Sequence, residues 1–208
     1  MHLTRLCCVL LVETFVLIAS EEDSFSLSEE RQLVKNGLLH TFPVLAKEWK
    51  VSFEVNPSTY ESGWRNILHL RYPSGPSHAG ASCLRISIRS SRQCDHLGLC
   101  WIIPKQITYK YSSNGQDNFF DDYYAIPQHN RWTKIEVSQI LDRNSYKIVF
   151  NSGAARREIL SPKTFEDVKV YASDPWESEQ PGKIRRLHIT NLNRGEYIIL
   201  CHATCQPA

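Results

Sequence analysis

Strict alternation of apolar and polar residues, repeated in short blocks, constrains this chain most. Trp49, Val51, Phe53 and Val55 fall on one parity, with Lys50, Ser52 and Glu54 on the other. Leu84, Ile86 and Ile88 alternate with Arg85, Ser87 and Arg89, and Ile107, Tyr109 and Tyr111 alternate with Thr108 and Lys110. Ile135 and Val137, Tyr146 through Phe150, Val168 and Val170, and Leu187 and Ile189 continue the pattern. A period of two buries one face of a strand and leaves the other polar, which a helix cannot do. Between the blocks stand Asn56-Pro57, Pro73-Ser74-Gly75-Pro76, Ser112 to Gly115, Asp142 to Ser145, Asn151 to Gly153 and Pro181-Gly182, all turn-forming. Strands at such spacing, without a strand–helix rhythm, predict an all-β fold, an antiparallel two-sheet jelly-roll sandwich in a single domain.

The first residues read differently. Met1–Arg5 carries a positive charge, Leu6–Ala19 is mostly apolar, and Ala19 and Ser20 are small residues ahead of Glu21, Glu22 and Asp23. That order predicts a signal peptide over residues 1–20 and a secreted, extracellular product. The run is shorter than the roughly 20 apolar residues of a membrane-spanning helix, and no later segment qualifies, so no transmembrane segment is expected. Residues 21–37 form an N-terminal segment in which Ser28–Lys35 could make a short helix. The sandwich is expected over 38–192, followed by a C-terminal tail, 193–208. A net charge of +2 in 208 residues argues against nucleic acid as a partner.

Five cysteines follow the signal: Cys83, Cys94, Cys100, Cys201 and Cys205. In an oxidising compartment most should pair. Cys94 with Cys100 and Cys201 with Cys205 would leave Cys83 over, and Cys83 with Cys94 or Cys100 is an equal alternative. The odd thiol could link two chains covalently.

The blocks Phe42–Val55, Arg131–Ile140 and Phe165–Ile189 together resemble a concanavalin A-like, laminin-G-like β-sandwich. A Trp-led strand ending in Ser138-Gln139 precedes a hairpin, and a closing strand leaves the loop Ser173–Gly182 to return beside the N-terminal one. The pattern is similar to secreted and modular invertebrate extracellular proteins, mostly of unassigned activity. The resemblance implies a fold and an extracellular binding role, with glycan or an extracellular protein as partner. It also makes calcium, which takes six to eight oxygens, worth testing at the acidic segment holding Asp117, Asn118, Asp121 and Asp122.

For the ligand, an exposed aromatic ring beside Asp, Asn or Arg suits the apolar C–H face of a sugar. Trp176 with Asp174, Trp64, and Tyr123 with Asp122 meet that description and predict a site on rim loops. Arg85, Arg89 and Arg92 form a row that could follow sulfate or carboxylate groups, since guanidinium binds both in bidentate fashion. Enzymatic glycan cleavage requires two carboxylates about 5–10 Å apart. Glu54 and Glu136 stand singly on their strands, and the E-x-D-x-x-E arrangement of glycan hydrolases with this fold is absent from the sequence. No G-x-S-x-G, H-E-x-x-H or Walker loop occurs, and Cys201-His202 with Cys205 is at best half a zinc site. The expectation is a non-enzymatic secreted binding module. A matrix or effector protein acting through protein contacts is the alternative, ahead of a glycan-cleaving hydrolase.

Overall fold

A computed structural model describes residues 24–73, 82–113, 116–122, 126–150, 155–159, 162–173 and 175–192. The described residues form thirteen strands: β1 (Ser24–Leu27), β2 (Arg31–Gln32), β3 (Leu38–Leu45), β4 (Trp49–Pro57), β5 (Gly63–Arg71), β6 (Ser82–Cys94), β7 (Cys100–Ser113), β8 (Gln116–Asp122), β9 (Thr133–Asp142), β10 (Ser145–Phe150), β11 (Ala155–Ile159), β12 (Phe165–Tyr171) and β13 (Gly182–Asn191). No helix among them is long and apolar enough to cross a membrane.

Seven strands make one sheet in the order β1-β13-β4-β9-β10-β11, with β2 also on β13; six make the other, β3-β12-β5-β6-β7-β8. Every ladder between named strands is antiparallel. The neighbours β3 and β4 enter opposite sheets, and their partners β12 and β13, also consecutive, do the same. This nested wrap is a jelly roll, the predicted fold class.

The alternation explains the core. Trp49, Val51, Phe53 and Val55 point inward from β4, and Val137, Ile135 and Ile148 from β9 and β10. Facing them from the other sheet are Phe42, Leu68, Leu70, Leu84, Ile86, Ile88 and Ile107, in one continuous buried cluster. The turn expected at Asp142–Ser145 joins β9 to β10 with Arg143 at φ 60°.

The short helix expected at Ser28–Lys35 is not formed. The segment lies along β13, with Leu27 opposite Leu187 and Arg31 opposite Ile184. Leu33 is buried, and its N–H donates to the Gly182 carbonyl at 2.9 Å. An eight-residue helix without an apolar stripe gains little, whereas the edge of β13 offers unpaired backbone groups that a strand satisfies at once. Among the described residues, sandwich strands are thus present ahead of residue 38, at Ser24–Leu27 and Arg31–Gln32.

Cys94 and Cys100 form a disulfide. Cys83 is buried in the core, and burial pushes its thiol well above the usual range. It packs as a small apolar residue, not as the link to a second chain considered from the sequence. Cys201 and Cys205 lie outside the described residues.

Candidate functional site

The outer face of β5, β6 and β7 departs from the simple pattern of a polar, solvated surface. Pairing stacks three rows across these strands: Trp64, Arg89 and Gln106; Asn66, Ser87 and Thr108; His69, Arg85 and Lys110. Asn66, Ser87, Thr108, Gln106 and His69 are polar and yet buried. Buried polar groups need a reason; on β5 it is a roof over Asn66 and His69, and on β7 Gln106 donates to Thr108 at 3.4 Å.

The roof is the connection from β12 to β13, which folds back over this face. The Asn66 N–H donates to the Ser178 carbonyl at 2.9 Å, and the Gln180 N–H donates to the Asn66 carbonyl at 2.9 Å. Asn66 and Glu179 thus form a short parallel bridge. The near end is tied by the Ser173 N–H donating to the Ile67 carbonyl at 3.1 Å, where β5 carries a bulge. At the far end the buried Gln180 amide donates to the Thr59 carbonyl at 2.5 Å. Gly182 closes the loop at φ 149°, where a Cβ would lie 2.4 Å from the Asn56 carbonyl oxygen. Only glycine fits there without displacing backbone.

Beside this roof a cleft of about 300 Å³ opens, lined by Trp64, Arg85, Ser87, Thr108, Lys110 and Glu177. Trp64 is 43% exposed, large for a tryptophan, and the Arg89 guanidinium lies 5.3 Å from its ring centre. Arg85 donates to Glu177, and this ion pair joins the strand floor to the roof. The Ser87 hydroxyl, buried on the floor, has no hydrogen-bond partner among the described residues. An aromatic plate, two cations, two hydroxyls and one carboxylate thus converge on one depression.

Trp64 joins the cleft as a strand residue and not as part of a rim loop. Trp176 sits on the roof next to Glu177, but its ring rests on Arg71 at 4.2 Å and edge-on to His69 and Tyr171 at 6.3 and 6.4 Å. These contacts hold it on the roof, and at 45% exposed it presents as much surface as Trp64. Asp174 and Tyr123 lie outside the described residues. Asp117, Asn118, Asp121 and Asp122 fall in strand β8 and not in a loop, paired in register with β7. Their backbone groups take part in that ladder, and the carboxylates on which the calcium expectation rests lie outside the described side chains. In that register Asp121 is the ladder partner of Thr108 and Asp122 that of Ile107. No cluster of three metal-ligating side chains occurs among the described residues.

Ser87, Thr108, Lys110 and Glu177 were not singled out as site residues from the sequence. A signal existed in Thr108 and Lys110, which alternate with Ile107 and Tyr109 on a strand following the arginine row. Glu177, however, reaches Arg85 only through a contact 92 residues apart.

The two carboxylates weighed for catalysis lie on the other sheet. Glu54 accepts hydrogen bonds from Arg185 at 2.7 Å and Arg186 at 2.9 Å, and these hold its carboxyl below the usual range despite partial burial. At Glu136 burial pushes upward, but Lys50 at 3.0 Å and Lys134 at 3.4 Å outweigh it and the carboxyl is again lowered. A general acid needs the opposite shift.

No family model matches the sequence. No curated protein matches it either. Among solved structures, the chain is similar to a SAP-like pentraxin from Limulus polyphemus, at 10% identity and a TM-score of 0.44, over 82% of this chain and 77% of that one. The CBM40 module of a Ruminococcus gnavus sialidase, solved with α2,3-sialyllactose, gives 8% identity and a TM-score of 0.45 over 79% and 92%. The NanB sialidase from Streptococcus pneumoniae gives 8% and 0.45 over 83% of this chain, which spans only 27% of that enzyme. Such likenesses concern the β-sandwich; the chemistry of the cleft has to be read from its own residues.

Proposed function

We propose that this protein is a secreted, non-enzymatic binding module that takes an acidic glycan in the cleft on the outer face of β5, β6 and β7. The observation that carries the reading is the placement of Trp64 against Arg85, Arg89 and Lys110 around a buried hydroxyl floor. A sugar ring lays its apolar face on the indole, as amphipathic ligands do on aromatic plates. Ser87 and Thr108 form the polar floor beneath it. Arg85 and Lys110 meet a carboxylate or sulfate, Arg through paired N–H donors and Lys as a point charge. The cleft lies at the lower end of the roughly 300–1,000 Å³ range of small-ligand sites, suited to the end of a glycan and not to a long segment.

Catalysis is disfavoured on chemical grounds. Glycoside cleavage uses two carboxyl groups, one of them held protonated. Glu177, a carboxylate lining the cleft, is ion-paired with Arg85, and Glu54 and Glu136 are shifted away from an acid's role.

The test is binding of the oxidised, secreted chain to a glycan array, with calcium and then with chelator. Selective binding of sulfated or carboxylated glycans, insensitive to chelator and lost in Trp64→Ala, is the expected result. Binding unchanged by Trp64→Ala would refute the site. Loss in chelator would move it toward the acidic segment on β8. Sequencing the N-terminus of the secreted product checks the export reading, which expects a start near Glu21.

A further inference from the structure

The hairpin between β6 and β7 outgrows its sheet. The last β5 partner on β6 is Ser90, and the last β8 partner on β7 is Ile107. Beyond them, among the described residues, Ser91–Cys94 pairs only with Cys100–Ile103, as a two-stranded ribbon. A register shift between Arg89 and Ser90, opposite Pro104, marks the departure from the sheet, as bulges commonly do. At about 3.4 Å per residue the ribbon carries Cys94, at the base of its tip, about 14 Å from Ser90.

The tip is held rigidly. The disulfide Cys94–Cys100 closes it. The Asp95 carboxylate accepts the N–H groups of Leu97 and Leu99, both at 2.9 Å, and the Asp95 N–H donates to the Leu99 carbonyl at 3.0 Å. Gly98 takes φ 80° to complete the turn. Yet this construction presents Leu97, 73% exposed, and Leu99, 65% exposed, to water. Neither leucine contributes to the core. Exposed apolar side chains on a pre-ordered tip lose little conformational entropy when they bind, which favours association.

We propose that the Asp95–Leu99 tip inserts its two leucines into the interfacial region of a lipid bilayer. The shape and area select this occupant. A convex tip of two leucines offers far less than the roughly 800 Å² per partner of a stable protein interface. A bilayer accepts a convex wedge, and apolar groups enter its headgroup boundary by about 5–10 Å, within the reach of the ribbon. Exposed polar residues, Arg92 and Gln93, follow immediately behind on β6, at the level where headgroups would lie. The proposal is independent of the glycan reading, because none of the tip residues lines the cleft.

The experiment is co-sedimentation of the oxidised full-length secreted chain with vesicles of phosphatidylcholine alone and of phosphatidylcholine with phosphatidylserine, without glycan. Binding to both is expected, stronger with phosphatidylserine through Arg92. The double variant Leu97→Ser/Leu99→Ser should lose on the order of 100-fold in partitioning, from the apolar transfer of two mostly exposed leucines. Its thermal unfolding should be unchanged, since neither side chain is packed. Cys94→Ser/Cys100→Ser keeps the leucines and should bind more weakly. Absence of binding to either vesicle, or equal binding by wild type and the leucine variant, would overturn the proposal. Leucine-dependent capture of a protein by a chain that ignores both vesicles would overturn it as well.

Discussion

Replacing Glu177 by Gln tests whether the cleft is built for an anion. Glu177 holds Arg85 from the roof, so an acidic ligand has to compete with it for the guanidinium. Two unit charges 4 Å apart attract by about 4 kcal/mol at an effective dielectric near 20. The side chains of Arg85 and Glu177 are 21% and 31% exposed, so desolvation, ordering and solvent screening remove most of that. A net coupling of about 1 kcal/mol remains, at the upper end for partly exposed pairs. Releasing Arg85 should tighten binding of a sulfated or carboxylated oligosaccharide about fivefold, since about 1.4 kcal/mol is tenfold. Titration calorimetry at low and high salt measures it, and the gain should shrink as salt screens the charges. The same change removes one strap of the roof and should lower the unfolding temperature by about 2–4 °C. Unchanged affinity would mean that the ligand does not meet Arg85. Weakened affinity would mean that Glu177 accepts hydrogen bonds from the ligand, and the competition argument would fall.

Trp64→Ala should cost the glycan affinity roughly tenfold or more, with the melting temperature little changed, because the ring is largely outside the core. Gly182→Ala should destabilise by about 1–3 kcal/mol, read by denaturant unfolding, because the new methyl group meets the Asn56 carbonyl at a positive φ. Glu54 and Glu136 have carboxyl pKa values lowered in the folded state, so they stabilise above the unfolded-state value near 4.5. That contribution is lost as pH falls through their lowered folded values. Glu54→Gln should therefore flatten the acid limb of a stability–pH curve measured by thermal unfolding. Peptide mapping after thiol labelling should find Cys83 unmodified in the native chain and modified once it is unfolded.

The strands were legible in the sequence because their signal is local. Trp49 to Val55 states which face is buried by its own alternation, and the turn at Asp142–Ser145 states where β9 must reverse. The disulfide Cys94–Cys100 was open only because Cys83 lay near enough in sequence to compete, and burial of Cys83 in the core removes that alternative. The N-terminal segment misled, since Ser28–Arg31 resembles a helix cap and only β13, more than 150 residues away, supplies the edge that makes it strand.

What the sequence determined by itself was the layer architecture and the residues that face inward, because a period of two is a property of consecutive residues. The cleft was decided by the tertiary structure. Register placed Ser87 beside Thr108 and Arg85 beside Lys110, and the crossing of the Trp176–Gln180 segment over Asn66 brought Glu177 to Arg85. These are contacts between strands and loops distant in the chain. No local preference encodes them; they exist because one packed arrangement satisfies the backbone of Asn66 and the core beneath it together.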